Sequence, residues 1–175
     1  MMKKIIILSA AMLALSMQPA QAIVERDLQV TARVLNFIEN IEKGPVKVAI
    51  IYDETSEQSV SDAQSLAKLL SDEGLLAGQY TLIPEMVKMQ NLDQINTNLA
   101  YVSLGMKGNF GKIADIAATK NIFTFTKDFA CLEEQKCVLA LETQPDVKIE
   151  ISDDAAVRSG LAFGMALRMM VKMKD

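Results

Sequence analysis

The stretch 46–70 reads VKVAIIYDETSEQSVSDAQSLAKLL and decides the fold class. Val46 to Tyr52 is a near-continuous apolar run ending in Asp53-Glu54, the pattern of a strand buried on both faces. Ser59 with Asp62 makes a capping-box-like start to a helix with apolar positions Val60, Ala63, Leu66, Ala67 and Leu70, and Gly74 follows its end. Strand, tight loop and helix in this order open a doubly wound α/β fold.

Upstream, Leu28, Val34, Leu35, Ile38 and Ile41 recur at helical spacing after the acidic start Glu25 to Asp27, and Gly44-Pro45 stops the pattern. Downstream, Tyr80 to Ile83 is a short strand broken by Pro84, and Asn91 to Asn96 reads as a short helix. Leu99 to Leu104 is a second buried strand, Phe110, Ile113, Ala114 and Ala117 mark a helix face, and Ile122 to Thr126 is a third strand. Successive βα units force parallel strands with right-handed crossovers. Val138 to Leu141 and Val147 to Ile151 flank Thr143-Gln144-Pro145-Asp146, an antiparallel hairpin at one edge. A long final helix is expected from Ser152 or Asp153 to about Lys172. The expectation is one Rossmann/flavodoxin-like domain, residues 23–175, with a mainly parallel sheet, an antiparallel edge hairpin and a long C-terminal helix.

The N-terminus has the layout of a secretory signal peptide, residues 1–22: Lys3 and Lys4, an apolar run from Ile5 to Leu15, and the small-residue site Ala20-Gln21-Ala22. That run is shorter than the roughly 20 apolar residues that span a bilayer. Cleavage is expected after Ala22, through the Sec pathway to the periplasm, and no cysteine near residue 22 offers a lipid anchor. Without Lys3 and Lys4 the basic count falls from 18 to 16 against 22 acids, a net charge of −6. A mildly acidic chain with no basic block is a poor nucleic-acid binder.

Cys131 and Cys137 are the only cysteines, and an oxidising compartment favours a bridge between them. Closing so short a loop stabilises by roughly 2 kcal/mol and would fix the loop Lys127 to Lys136. Redox catalysis would instead require a Cys-x-x-Cys pair.

The chain has no histidine. That removes the Ser-His-Asp and Cys-His nucleophile arrangements and the commonest ligand of catalytic zinc. No metal ligand set, cofactor or catalytic residue is assigned, and the chain reads as a non-enzyme. Asp53, Glu54 and Glu57 group after the first strand, where open α/β sheets bind ligands, although acids in an exposed loop are more often solvated caps. The loop Gly105 to Gly111 could receive an anion on Lys107 and its backbone N–H groups, or its glycines could simply permit a tight turn before an Asn109 N-cap. A polar crevice at the strand ends, lined by Asp53, Ser56, Ser59, Ser103, Lys107 and Thr126, is the expected small-molecule site.

The stretch Ala155 to Val171 is apolar nearly all round, and four of the seven methionines beyond residue 22 lie at 165, 169, 170 and 173. A helix of this kind is buried on more than one side. Packing on the first helix is one solution. The other is a homodimer or partner interface through Leu161, Gly164, Met165, Arg168 and Met169, helped by the Gly160-x-x-x-Gly164 step.

These segments resemble the YfiR-like periplasmic proteins. Ala32 to Ile38 is similar to that family's Ala-x-x-Leu-x-Asn-Phe signature apart from spacing. Val147 to Leu161 is close to its Phe-x-Ile-Asn segment, followed by Ala and then Gly-Leu, and a close cysteine pair precedes the penultimate strand. The chain departs in having Gly44-Pro45 for Trp-Pro, Ser152 for asparagine, and no second cysteine pair. The resemblance implies a homodimeric periplasmic sensor that holds an inner-membrane diguanylate cyclase inactive, controlling cyclic-di-GMP signalling and biofilm formation. The alternative from another class resembles the solute-binding component of an ABC transporter, reduced to a single lobe.

Overall fold

The computed structural model describes residues 22–38 and 41–174. The expected signal peptide therefore lies outside the described residues apart from Ala22. In chain order the regular elements are α1 (Glu25–Leu35), β1 (Gly44–Tyr52), α2 (Glu57–Leu70), β2 (Leu75–Ala77), β3 (Tyr80–Lys88), β4 (Leu99–Val102), α3 (Phe110–Lys120), β5 (Phe123–Thr126), α4 (Phe129–Glu133), β6 (Leu139–Glu142), β7 (Lys148–Ser152), α5 (Asp153–Arg158), α6 (Met165–Met170) and β8 (Lys172–Lys174), with 3-10 turns at Met89–Gln94 and Lys107–Asn109. One sheet runs β2-β3-β1-β4-β5-β6-β7-β8. Strands β3, β1, β4, β5 and β6 are mutually parallel, β2 and β7 are antiparallel to their neighbours β3 and β6, and β8 is parallel to β7. The parallel part has the flavodoxin-like order, and it reverses between β1 and β4.

The apolar run from Val46 to Tyr52 explains the two layers. Successive strand residues face opposite sides, so Val48 and Ile50 join the core beneath α1, α2 and α5, while Ala49 and Ile51 join the core beneath α3 and the buried cysteines. All four are buried, as a central strand between helical layers requires. No helix among the described residues is long and apolar enough to cross a membrane.

Several boundaries differ from the expected ones for identifiable reasons. The first helix ends at Leu35 rather than running to Ile41, and Ile38 instead bridges Phe163. The N-cap of α2 is Ser56, whose hydroxyl accepts from the Ser59 N–H, so Ser59 and Asp62 are not its capping box. Strand β3 passes through Pro84 to Lys88, because β2 ends opposite Leu82 and leaves the outer side of β3 unpaired at Pro84. The expected 91–96 helix is the 3-10 turn Met89–Gln94, and the cysteine loop 127–136 contains α4.

The largest correction is at the C-terminus, where no long helix forms. Ser159 caps α5, the Gly160 N–H reaches the Val157 carbonyl, and the Leu161 N–H reaches the Ala156 carbonyl. These two bonds are the Schellman termination, with Gly160 in the left-handed conformation at φ +64°. The chain restarts as six-residue α6 and then adds β8 outside β7, so the β6–β7 hairpin lies one strand in from the edge. Glu150 of β7 holds β8 through Lys172 and Lys174, each at 3.2 Å.

Two glycine substitutions separate these roles. A Cβ at Gly160 would lie 2.6 Å from Asn121 Oδ1, whereas one at Gly164 meets nothing within 4 Å. Gly160→Ala is expected to cost at least about 1–2 kcal/mol of stability from the left-handed backbone alone, read by urea denaturation. Gly164→Ala is expected to change stability by less than about 0.5 kcal/mol.

Candidate functional site

In a sheet of this order the loops after β1 and β4 leave in opposite directions, and the gap between them is where such folds bind ligands. Here the two loops close on each other. Gly105, at φ +74°, carries the β4 loop so near α2 that a Cβ there would lie 3.0 Å from Ser56 Oγ and 3.1 Å from Gln58 Oε1. Asp53 Oδ2 accepts from Asn109 Nδ2 at 3.0 Å, tying the β1 loop to the start of α3, so Asn109 is a cross-strap and makes no cap bond with its side chain. The Ser59 hydroxyl accepts from the Asp53 N–H and donates to Met106 Sδ at 3.0 Å.

The structure thus places the expected crevice residues along one edge but engages most of their polar groups locally. Asp53 Oδ1 accepts from the N–H and hydroxyl of Thr55, which hold its carboxyl below the usual value. Ser56 is a helix cap. Thr126 donates to the Val102 carbonyl and accepts from the Asp128 N–H. Lys107 is exposed, with its Nζ 3.9 Å from Glu134 Oε1. Ser103 is buried, and its hydroxyl has no partner among the described residues.

The same edge holds a buried charged network. Asp27 of α1 is fully buried, its Oδ1 accepting from Thr143 Oγ1 at 2.6 Å and its Oδ2 from the Val24 N–H at 2.9 Å. Lys127, just beyond β5, completes it with Nζ 3.3 Å from Asp27 Oδ2 and donates to the Ala22 carbonyl, also at 3.3 Å. Asp62 of α2 lies nearby, accepting at Oδ2 from the Tyr101 hydroxyl at 2.8 Å and the Leu104 N–H at 2.9 Å. Its Oδ1 has no partner among the described residues. Burial pushes the Asp62 carboxyl above its ordinary value against those two hydrogen bonds and the charge of Lys127, and burial likewise pushes the Tyr101 phenol well up. A niche of about 120 Å³ beside Asp62 is lined by Ala22, Gln58, Ser61, Ser65 and Leu104. None of Asp27, Asp62, Lys127 and Thr143 was singled out as a site residue from the sequence. A lysine directly after a buried strand was the available signal.

The larger concavity lies elsewhere. A groove of about 710 Å³ runs between α1, β7 and α6. Its lining is apolar through Val30, Val34, Phe37, Val147, Ile149, Leu167, Met170 and Val171, and it contains no acidic residue. Arg26 and Arg33, seven residues apart on α1, share one helix face about 10 Å apart along the axis. Both are exposed.

Of the residues expected at a partner interface, Leu161 is core at 4% exposure, and Gly164 opens α6. Arg168 grips the Asp153 carboxylate with both terminal nitrogens at 2.7 and 2.8 Å. Met165 and Met169 stand 75% and 82% exposed beside the groove. The Cys131–Cys137 disulfide is formed, and both cysteines are fully buried in the α3 layer. It closes a turn already held by the Lys136 N–H on the Cys131 carbonyl.

No protein-family model matches the chain. No characterised protein matches it by sequence either. Solved structures do match. A conserved domain protein from Vibrio cholerae O1 biovar El Tor aligns with TM-score 0.58 at 12% identity, over 89% of this chain and 60% of that one. The ligand-free, open form of a substrate binding protein with adhesive properties from Clostridium difficile aligns with TM-score 0.61 at 9% identity, over 87% and 59%. An ABC domain in complex with L-Trp from Streptococcus pneumonia aligns with TM-score 0.56 at 8% identity, over 83% and 59%. At these identities the likeness is one of fold, and the chain spans about 60% of the length of those proteins.

Removing one partner of a buried pair leaves an uncompensated charge. Lys127→Met is therefore expected to cost about 3–5 kcal/mol, whereas Lys107→Met, at an exposed pair, is expected to change stability by less than about 1 kcal/mol. Chemical denaturation of both variants checks this, and equal effects would show that the buried pair does not anchor α1.

Proposed function

We propose that this chain is an exported, non-enzymatic binding protein whose ligand is a small apolar molecule carrying an acidic group, held in the groove between α1, β7 and α6. The observation that carries this is the pairing of an apolar cavity of about 710 Å³ with two arginines and no acid in its lining. Ligand cavities typically fall in the range of about 300–1,000 Å³, mostly apolar with a few polar groups that fix orientation. A guanidinium forks onto a carboxylate in a geometry that a lysine cannot reproduce. The fold likeness to a substrate binding protein and to an ABC domain in complex with L-Trp supports the class of function. The sealed switch point argues for binding away from the strand-end crevice. The signal-peptide-like layout of residues 1–22 in the sequence and the disulfide support export to the periplasm.

A second reading has its own observation. Met165, Met169 and Met170 stand 75%, 82% and 64% exposed beside the groove, with Val147 at 55%. Adaptable methionines suit a partner surface. On this reading the patch docks a homodimer mate or an inner-membrane diguanylate cyclase, as the resemblance to YfiR-like proteins implies, and the groove ligand regulates that contact.

The chain has no tryptophan, so the emission of added L-Trp reports binding directly. Titration of the purified chain with L-Trp and with dodecanoate should give saturable binding of at least one. Arg26→Glu with Arg33→Glu should weaken it roughly tenfold or more, the scale of losing a charge-assisted hydrogen bond, with little loss of stability. No binding of either probe, or binding indifferent to both arginines, would overturn the groove assignment. Capture of a membrane cyclase by crosslinking, abolished by Met169→Glu, would establish the second reading.

A further inference from the structure

Asp62 is an unusual group to leave half-satisfied. It is 5% exposed, and one carboxylate oxygen takes two hydrogen bonds while Oδ1 takes none among the described residues. That carboxylate borders a niche of about 120 Å³ whose other walls include Ala22 and the neutral side chains of Gln58, Ser61 and Ser65. Three contacts hold the segment entering α1 there, and the two at Ile23 and Val24 do not depend on Ala22. The Ala22 carbonyl accepts from Lys127 Nζ, the Ile23 side chain is buried in the main core at 5% exposure, and the Val24 N–H donates to Asp27.

We propose that the missing partner of Asp62 is the α-ammonium group of Ile23, created when a signal peptidase cleaves after Ala22. This rests on the export reading above. In the cleavage, water adds across the Ala22–Ile23 amide. The new carboxylate departs with residues 1–22, and Ile23 keeps the nitrogen, which takes up a proton. Departure of Ala22 removes one wall of the niche and frees space beside Asp62 for the ammonium.

Charge balance supports the same partner. Asp27 of α1 is already matched by Lys127 at 3.3 Å, so of the two buried acids Asp62 is the one without a cation of its own among the described residues. The remaining charged or titratable groups facing the cluster are the Tyr101 hydroxyl of β4, which donates to Asp62, and Asp128, the cap of α4, whose carboxylate accepts from the Ala130 N–H. A second cation gives each of the two buried acids, Asp27 and Asp62, a base of its own, with Asp128 half-buried at the margin on its helix-cap bond. Maturation would then tighten α1, one wall of the groove, onto α2.

The test compares two forms of the purified protein in all other respects alike. One starts at Ile23, released from an N-terminal fusion with no residue left over, and the other keeps a short neutral extension ending in Ala22. At pH 7, Asp62→Asn is expected to lower the folding equilibrium constant tenfold or more in the Ile23 form and less than threefold in the extended form. The wild-type α-amine should also resist an amine-acetylating reagent that labels the Asn variant readily. Should the Asn variant fail to fold, protection of the wild-type α-amine alone decides. Equal effects of Asp62→Asn in the two forms, or ordinary labelling of the wild-type α-amine, would overturn the pairing. N-terminal sequencing of protein recovered from the periplasm tests the export reading separately. A start other than Ile23 removes the proposal's place in the cell whatever the purified chain shows.

Discussion

A carboxylate with no solvent exposure must be paired and hydrogen-bonded or it unfolds what surrounds it. Asp27 meets that requirement with Lys127, Thr143 and the Val24 N–H, which come from the end of β5, the turn after β6 and the entry to α1. Only the Val24 N–H is local to Asp27, whereas Lys127 and Thr143 come from far along the chain. The sequence separation from Asp27 to Thr143 is 116 residues. Satisfying one buried charge therefore sets where the N-terminal helix lies across the sheet. That placement in turn makes the groove, because α1 supplies one wall and β7, two residues beyond the turn that holds Thr143, supplies the floor.

What could be read without the structure follows from the range of each interaction. The burial of Val48 to Ile51 on both faces was legible, because a central parallel strand has no solvent side and shows it as an unbroken apolar run. The same holds for β4, β5 and the β6–β7 hairpin, whose patterns were displaced by only a residue or two. The failed helix at the C-terminus was legible in principle. Apolar periodicity carried the reading through Ser159-Gly160, but a glycine after a capped turn terminates a helix, and the apolar residues beyond it fill the core from a turn, α6 and β8 instead. Leu161 is the hydrophobic partner of that termination and not an interface residue.

The site was less legible, for a different reason. Ser56, Ser59, Asp53 and Thr126 lie along the carboxyl-end edge of the strands, yet hydroxyls and carboxylates next to free backbone N–H groups satisfy those groups first. A composition rule for polar loops cannot distinguish a ligand-ready hydroxyl from a cap. Asp62 was read as half of a capping box because its spacing from Ser59 fits one, whereas its actual partners, Tyr101 and Leu104, are separated from it by 39 and 42 residues. Arg26 and Arg33 share one face by simple heptad spacing, but nothing local says that β7 and α6 will arrive opposite them.

The two concavities differ in what they could admit. At the switch point the walls are polar and most of their groups are already hydrogen-bonded, so a ligand would have to displace bonds the protein already makes and match each one it breaks. In the α1 groove the walls are apolar and the charges sit at the lip. A ligand there releases water from apolar surface and meets guanidinium groups that have no partner among the described residues, so little existing structure is lost on binding. The topology of the sheet points toward the first location, whereas for the proposed ligand the walls of the two concavities favour the second. The disagreement has a physical source. The loops after β1 and β4 lie against each other here through Gly105 and Asn109, at the edge where this fold class binds its ligands.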